Sequence, residues 1–464
     1  MTHHFDPVIL RDYDIRGTVG DNLGATDAYA IGRGFATRLR RDGEGAAGGH
    51  AGPHRVVVGY DGRTHSPLLE TALVQGLIDS GVDVVRIGLC PSPMLYFAEA
   101  TLAVSGGIQV TGSHNPRDDN GFKMVMRHDS FFGEDIATLA RLAEAGDWER
   151  GSGSIECVDL LADYVDRLLA GYSGGAYRIA WDAGNGAAGP VVAALTQRLP
   201  GEHHLLYCDV DGTFPHHHPD PSVEANLADL KAVVAREGLD IGIAFDGDGD
   251  RIGLVDARGR VLWGDDILAL LVPAMLAERP GSTIVADVKS SDALFDTIAR
   301  YGGTAVMWQT GHSRMKAKLK ELGAPLAGEL SGHIFFAHDY YGFDDALYAA
   351  VRVIGALDRS GGTLADWVEA QPPRCTSPEM RVPVAEARKT AIVAEVLERL
   401  SRGPARIDTT DGMRVSTDDG WWLLRASNTQ AALTLRAEGR DAAGLARLLA
   451  AVDAELARSG VTRD

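Results

Sequence analysis

Ile241-Gly242-Ile243-Ala244-Phe245-Asp246-Gly247-Asp248-Gly249-Asp250-Arg251 joins two kinds of sequence end to end. The first five residues are apolar or glycine, a short run that reads as a buried strand. The next six set carboxylates on alternate positions and finish on a cation. A strand that stops at such a loop presents its carboxylates where open α/β sheets hold ligands, outside the strand's C-terminal end. An EF-hand also opens on Asp-x-Asp-x-Asp, but counting from Asp246 rejects it. Position 6 is Arg251 where that loop requires glycine, and position 12 is Ala257 where it requires a bidentate Glu. Asp246, Asp248 and Asp250 therefore read as a site for Mg²⁺, which prefers a few carboxylates completed by phosphate oxygens and water.

Thr111-Gly112-Ser113-His114-Asn115-Pro116 stands well upstream and offers a hydroxyl on a tight turn. Ser, Asn and Pro each favour turns for separate reasons, so by itself the run matches an ordinary capped turn. Beside the Asp loop it gains a chemical sense. A phosphorylated serine next to carboxylate-held Mg²⁺ is the simplest arrangement that needs both, because the ion neutralises charge as a phosphoryl group moves.

Length, charge and cysteine use bound the rest. At 464 residues the chain exceeds what one core usually serves, which argues for about three or four domains. A composition 45% hydrophobic and 23% charged is that of a globular protein. The net charge of −19 argues against nucleic acid and anionic membrane surfaces as partners. The longest apolar runs, such as Ile267 to Leu276, are too short to span a bilayer. Met1 to Asp6 has neither the basic nor the apolar region of a signal peptide. Cys90, Cys157, Cys208 and Cys375 are scattered with no Cys-x-x-Cys, the usage of reduced thiols in a cytoplasm.

An internal repeat suggests the organisation. Val56-Val57-Val58-Gly59-Tyr60 runs into Asp61-Gly62-Arg63, Tyr177-Arg178-Ile179-Ala180-Trp181 into Asp182, and Thr283-Ile284-Val285-Ala286 into Asp287. Each is a short strand ending in Asp and a turn, followed by a helical stretch. They recur roughly 120 and 105 residues apart, which suggests repeated domains rather than stacked repeats. Strands alternating with amphipathic helices imply mixed or parallel sheets. The expected cuts are 1–153, 154–257, 258–371 and 372–464. In the last part a helix over Ala385 to Ser401 precedes short strands near Arg406, Met413, Trp422 and Leu433, with a final helix over Ala442 to Ala457. Glu44 to Pro53 is Gly/Ala/His-rich and reads as a mobile surface insertion. Three local readings are structural. His216-His217-His218 is a loop with packing contacts, since zinc sites want spaced ligands. Trp421 and Trp422 alternate across a strand, one ring in the core and one at the surface. Asp265 and Asp266 serve as helix N-cap and first-turn acid ahead of Ile267.

The serine and Asp runs together resemble the signature of the α-D-phosphohexomutase superfamily, in particular its bacterial phosphomannomutase/phosphoglucomutase branch. Gly328-Glu329-Leu330-Ser331-Gly332-His333 is similar to the family's sugar-recognition loop. Arg425-Ala426-Ser427-Asn428-Thr429 is similar to its loop for the substrate's non-reacting phosphate, and an Arg fork beside hydroxyl and amide donors suits that anion. Either run alone is a common turn sequence. The resemblance extends to Tyr13-Asp14-Ile15-Arg16-Gly17, Gly121-Phe122-Lys123, Lys289 and Thr310-Gly311-His312-Ser313, in order across the whole chain.

The resemblance implies three similar α/β domains with mixed sheets plus a C-terminal α+β domain, arranged round a central cleft. It implies a Mg²⁺-dependent phosphohexomutase that interconverts hexose 1-phosphate and hexose 6-phosphate of mannose or glucose. Phosphate would rest on Ser113, itself a metal ligand with Asp246, Asp248 and Asp250. His114, Lys123, Arg251 and His333 would form the catalytic group, with Arg251 on the transferring phosphoryl and Lys123 or His333 handling the proton. Tyr13, Arg16, Lys289, His312, Glu329, Ser331, His333, Arg425, Ser427, Asn428 and Thr429 would hold the phosphosugar. Hexose 1,6-bisphosphate would be both intermediate and activator, and the protein a monomer or weak homo-oligomer. Because the chain and its substrate are both anionic, the site is expected to be a local positive cavity built from Arg16, Lys123, Arg251, Lys289, His312, His333 and Arg425.

Two positions depart from the family pattern. Gln430-Ala431 stand where relatives often carry an acid and a proline, and Asp292 where the bifunctional branch often has a basic residue. Leu330 favours the mannose/glucose branch over the phosphoglucosamine mutases, the alternative within the superfamily. The rival from another class is a NAD-dependent dehydrogenase. Gly184-Asn185-Gly186-Ala187-Ala188-Gly189 matches G-x-G-x-x-G after a strand, and Asp209 closes the next strand-like run. That reading leaves the serine loop, the Asp loop and the Arg425 loop without a task. A non-catalytic sugar-phosphate binder would need the anion pocket but not the Asp loop.

Overall fold

The computed structural model describes residues 2–44, 54–404, 406–427 and 431–463. Nine residues of the expected insertion, 45–53, lie outside them, as do Asn428, Thr429 and Gln430.

The first unit contains β1 (Ile15–Thr18), α1 (Ala25–Glu44), β2 (Arg55–Tyr60), α2 (Ser66–Asp79), β3 (Asp83–Leu89), α3 (Ser92–Thr101), β4 (Gly106–Val110), β5 (Asp119–Met126), β6 (Asp129–Ser130), α4 (Glu134–Ala145) and β7 (Ile155–Cys157). The second follows through α5 (Leu161–Leu169), β8 (Tyr177–Asp182), α6 (Gly189–Thr196), β9 (Gly201–Leu206), α7 (Ala228–Glu237), β10 (Ile241–Phe245), β11 (Ile252–Asp256) and β12 (Val261–Leu262). The third has α8 (Gly264–Glu278), β13 (Thr283–Asp287), α9 (Asp292–Arg300), β14 (Thr304–Trp308), α10 (His312–Leu322), β15 (Leu326–Gly328), β16 (Ile334–Phe336), α11 (Ala346–Ser360) and α12 (Leu364–Ala370). The fourth has β17 (Cys375–Thr376), β18 (Met380–Pro383), α13 (Glu386–Leu400), β19 (Arg406–Asp408), β20 (Met413–Thr417), β21 (Gly420–Ala426), β22 (Ala432–Gly439) and α14 (Ala442–Arg458).

The strand orders are β1-β5-β4-β2-β3-β7, β12-β11-β10-β8-β9, β14-β13-β15-β16 and β17-β22-β21-β20-β19. The first three share one plan. The repeat strand (β2, β8 or β13) lies between two parallel neighbours, and one of those neighbours hairpins into an antiparallel strand. These hairpins are β4–β5, β10–β11 and β15–β16. Two sheets reach past the cuts expected at 153 and 257, because β7 pairs with β3 and β12 with β11. Both added strands are two or three residues long; β7 is exposed throughout, and Val261–Leu262 of β12 are too few to show a strand period.

One apolar core runs through the first three units, joining Phe97 on α3, Tyr164 on α5, Trp181 on β8, Leu268 on α8 and Leu347 on α11. The fourth unit has its own core around Val396, Trp422 and Leu448. Both tryptophans of the 421–422 pair are buried, at 1% and 2% exposure, which corrects the expectation of one surface ring. The face of β21 that would meet solvent in an isolated domain instead covers the third unit. Trp421 packs there with Val288, and the Arg414 guanidinium lies 3.6 Å from its ring centroid. Arg414 also donates to Val288 O at 2.8 Å, Ser290 O at 2.7 Å and Asp292 Oδ1 at 2.6 Å. Asp292 is thus a strut to the fourth unit. Of the expected cap pair, Asp266 is a first-turn acid as expected, but Asp265 is not the N-cap. Trp263 takes the N-cap of α8 with Asp266 accepting from its amide, whereas buried Asp265 accepts from Ser291 N at 3.0 Å and faces Arg436 at 3.4 Å.

Magnitudes separate the two contacts at this junction. Trp421→Ala is expected to cost about 3–5 kcal/mol, the scale for emptying a packed aromatic site. Asp292→Ala is expected to cost about 0.5 kcal/mol, since Asp292 is 58% exposed and its ion pair is screened. Urea unfolding of the intact chain checks this, and equal shifts for the two variants would contradict it.

Candidate active site

All four sequence runs fall on hairpin connections. Ser113 lies between β4 and β5, the Asp loop between β10 and β11, the Glu329 loop between β15 and β16, and Ser427 between β21 and β22. The serine turn is held from below. Asp61, just beyond β2, accepts from Thr111 Oγ1 at 2.8 Å and Gly112 N at 3.1 Å, and Thr111 Oγ1 accepts from Ser113 N at 2.8 Å. Buried Arg63 devotes its fork to four carbonyls of the turn. One nitrogen donates to Ser113 O at 2.8 Å and Asn115 O at 2.6 Å, the other to Pro116 O at 2.5 Å and Asp119 O at 2.9 Å. Ser113 is held at φ +48°, an uncommon conformation for a residue with a side chain. Its Oγ donates across the unit boundary to Asp246 Oδ2 at 2.7 Å. Gly247 permits the approach, since a Cβ there would stand 2.4 Å from the Ser113 carbonyl.

Asp246, Asp248 and Asp250 are each 0% exposed, and one ligand oxygen from each lies within 4.8 Å of the others. Asp246 Oδ1 accepts from the Asp250 and Arg251 amides at 3.0 and 3.1 Å, which closes the loop on itself. Lys123 of β5 donates to Asp248 Oδ2 at 2.7 Å and also to Asp250 Oδ2, and Ser92 at the start of α3 donates to Asp248 Oδ2. Asp248 Oδ1 and Asp250 Oδ1 are buried with no hydrogen-bond partner. Unpaired buried carboxylate oxygens are costly, and a hard all-oxygen set of this kind is what Mg²⁺ takes, so the residues present fit the ion. Burial, with Asp248 and Asp250 alongside, holds the Asp246 carboxyl well above its usual range. Burial opposes the charge on Lys123, but Asp248 and Asp250 outweigh it and keep the ammonium protonated well beyond its usual range.

The other residues converge on the same cleft. Ile252 N donates to Gly332 O at 3.1 Å and docks the sugar-type loop beside the Asp loop, and Leu330 N donates to Asp287 Oδ1 at 3.3 Å. Glu329 accepts from Gly311 N at 3.2 Å and from Ser331 Oγ at 3.3 Å. His333 Nε2 accepts from Arg251 Nε at 3.0 Å, while its Nδ1 lies 3.0 Å from Asp344 Oδ2. His312 stacks on His333 with centroids 5.7 Å apart, and both its nitrogens are buried without a hydrogen-bond partner. Burial, then Lys316, holds His312 well below the usual imidazole range, so it stays neutral. Tyr13 donates from its hydroxyl to Thr310 O at 2.8 Å, and Arg16 donates to Asp14 at 2.7 Å and Asn115 at 2.9 Å. His114 faces Asp220 at 3.1 Å, and burial beside Arg251 lowers it to about 3.

At the far end Lys289 Nζ donates to Glu379 Oε2 at 3.0 Å. Arg425 is 5% exposed with Nε 3.0 Å from Asp411 Oδ2, and among the described residues its Nε and one terminal nitrogen make no hydrogen bond. Ser427 is buried beside them in sequence, while Asn428 and Thr429 lie outside the described residues. Four of the cations expected to build a positive cavity meet carboxylates: Arg16 with Asp14, Lys123 with Asp248 and Asp250, Lys289 with Glu379, Arg425 with Asp411.

Several residues here escaped the sequence reading: Asp61, Arg63, Ser92, Asp344, Glu379 and Asp411. Asp61 had a signal, since Asp ends all three repeat strands, and Asp287 braces the sugar-type loop as Asp61 braces the serine turn. The histidine run makes packing contacts as expected. His217 meets Asp182 at 3.0 Å, His218 meets His114 O at 2.5 Å, and His216 packs edge-on against Tyr207. The G-x-G-x-x-G run has no room for a dinucleotide. Ala187 N donates to Gly247 O at 2.9 Å, and Cβ atoms at Gly186 and Gly189 would strike Gly247 and Cys208. Its glycines seat the Asp loop.

Arg63→Lys keeps a cation but loses the planar fork that ties four carbonyls. Turnover is expected to fall about a hundredfold, the usual consequence of misplacing a reacting group by an ångström. Arg63→Ala is expected to destabilise by about 3–5 kcal/mol by stripping Asp61 of its buried partner. Steady-state kinetics and thermal melts check both, and an Arg63→Lys variant with wild-type turnover would contradict the role.

Comparison with known proteins agrees with this geometry. Family models for phosphoglucomutase/phosphomannomutase match in order: alpha/beta/alpha domain I over residues 8–149, domain II over 162–259, domain III over 263–375 and the C-terminal domain over 379–455. A phosphomannomutase/phosphoglucomutase of Pseudomonas putida is 41% identical over 95% of this chain and 93% of its own. A phosphoglucomutase of Neisseria gonorrhoeae is 39% identical over 95% of both. The crystal structure of a phosphoglucomutase/phosphomannomutase family protein from Burkholderia thailandensis superposes with a TM-score of 0.91 over 98% of each chain at 38% identity. Four family models in order along the chain, and relatives at about two-fifths identity over nearly its full length, place the chain in the phosphoglucomutase/phosphomannomutase family of phosphohexomutases.

Proposed function

We propose that the chain interconverts hexose 1-phosphate and hexose 6-phosphate of mannose, glucose or both, through phospho-Ser113 and a hexose 1,6-bisphosphate. The observation that carries this reading is the Ser113 Oγ–Asp246 contact of 2.7 Å, made between two units at a strained serine. Mg²⁺ held by Asp246, Asp248, Asp250 and Ser113 would supply charge neutralisation on the transferring phosphoryl group.

The chain's own residues supply the rest. Arg425, whose Nε and one terminal nitrogen make no hydrogen bond among the described residues, and Lys289 anchor the substrate phosphate that does not react, with Ser427, Asn428 and Thr429 as further ligands. Glu329, Ser331, His312, Tyr13 and Arg16 line the sugar between the two phosphate sites. Arg251 stabilises the phosphoryl group as it leaves Ser113. Lys123 is locked between carboxylates with its proton retained, so His333, oriented by Arg251 and Asp344, is the better placed of the two candidates to take the proton from the attacking hydroxyl. His114 supports the turn through Asp220. The bisphosphate turns end over end, and the guanidinium fork of Arg425 receives either phosphate because it recognises phosphate geometry rather than the carbon bearing it. Among the described residues no helix is long and apolar enough to cross a membrane. A cytoplasmic setting and a monomeric or weakly associating protein belong to the same proposal.

A coupled assay with mannose 1-phosphate, glucose 1-phosphate and glucosamine 1-phosphate tests it. Turnover is expected with one or both of the first two, and added glucose 1,6-bisphosphate is expected to reactivate dephosphorylated protein. Ser113→Ala is expected to lose at least about a thousandfold in turnover, positioning and electrostatics alone surviving. Near-wild-type turnover in that variant would refute the covalent path.

A further inference from the structure

The anchoring pocket contains two carboxylates of different character. Asp411 is part of the wall: its side chain is 12% exposed and it accepts from Thr310 N at 3.0 Å as well as facing Arg425. Glu379 is 27% exposed, and its recorded partners are side-chain cations, Lys289 at 3.0 Å and Arg381 at 3.7 Å. It stands just ahead of β18, on the fourth unit, whereas Lys289 belongs to the third. Burial opposes its charge, but Lys289, then Arg381 and Arg425, hold it at about 2, so it is an anion at working pH. Lys289 itself is 5% exposed, and among the described residues the other carboxylate it pairs with is Asp287, 3.7 Å away. A phosphate that takes Lys289 therefore competes with Glu379 for the charge of its ammonium.

We infer that Glu379 is a displaceable internal counter-anion of the phosphate-anchoring pocket, and that its competition for Lys289 keeps the bisphosphate loose enough to turn. The inference rests on the mutase reading above. A pocket that held a dianion on Lys289 and Arg425 with no competitor would bind it more tightly, and would release it more slowly, than a reaction with a mid-cycle reorientation requires. Glu379 returns to Lys289 each time a phosphate leaves, so neither cation is stranded unpaired. The residue acts on affinity and reorientation and does not touch the reacting atoms.

The test uses the full chain carrying Ser113→Ala, which binds without turning over, and isothermal calorimetry with glucose 1-phosphate. Adding Glu379→Gln is expected to lower Kd about five- to tenfold, the effect of removing one partly screened like charge. In a Lys289→Met background the same change is expected to lower Kd by no more than about twofold, because the competition for the ammonium is gone and only screened repulsion remains, which a merely structural role would not predict. With Ser113 intact, Glu379→Gln is expected to lower KM, to lower kcat and to release less bisphosphate per turnover. Glu379→Ala serves as the second variant and is expected to behave alike. An unchanged or raised Kd with Glu379→Gln overturns the inference while leaving the mutase reading intact. Failure of glucose 1-phosphate, mannose 1-phosphate and inorganic phosphate to bind any of these proteins overturns both.

Discussion

Three carboxylates at zero exposure on one six-residue loop are the constraint around which the molecule is arranged. Burying an ion costs several kcal/mol even after relaxation, and burying three of one sign within 4.8 Å compounds it. The structure answers with Lys123 from the first unit, Ser92 from α3, two loop amides on Asp246 and the Ser113 hydroxyl. Oδ1 of Asp248 and of Asp250 is still left without a partner. A hard divalent cation fits that deficit, and three of the five compensating groups come from another unit. The loop thereby fastens the first two units together while it assembles the site.

The repeated topology explains how four separate segments reach one cleft. In each of the first three units a central parallel strand ends in an Asp, and the neighbouring hairpin connection carries the chemistry. Asp61 braces the serine turn and Asp287 the sugar-type loop. The second repeat inverts the arrangement, since its own glycine turn at 184–189 packs under the Asp loop through Gly247. The fourth unit uses another hairpin, β21–β22, and is docked by Trp421, Arg414 and Arg436 against the third. Most cations of the cleft meet carboxylates, so in a chain of net charge −19 the positive charge gathered there is largely paired.

Much of this is legible in the sequence because it is local. Strand followed by Asp, the serine turn, the Asp loop and the C-terminal run of strands between two helices all show in contiguous residues, and α13 and α14 lie within a residue or two of their expected bounds. What escaped depends on contacts across units. One ring of the Trp421–Trp422 pair was expected at the surface because alternation on a strand says nothing about a second domain covering that face. Asp292 stood out only as a departure from the family pattern, whereas its partner Arg414 is 122 residues away. Asp344, Glu379 and Asp411 carry no motif, and their roles exist only once α11, β18 and β20 are brought to the cleft. Arg63 stood in plain view after a repeat strand, but nothing local tells a buried arginine that ties four carbonyls from an exposed one.

The account turns on a phosphate moving onto and off one hydroxyl. The most direct measurement is phosphopeptide mapping of the protein after exposure to glucose 1,6-bisphosphate and Mg²⁺, with and without a following chase of hexose 1-phosphate. The expected result is one phosphate, on the peptide containing Ser113, that disappears on the chase as bisphosphate appears. Turnover with no protein-bound phosphate, or a chaseable phosphate on any other residue, would contradict it.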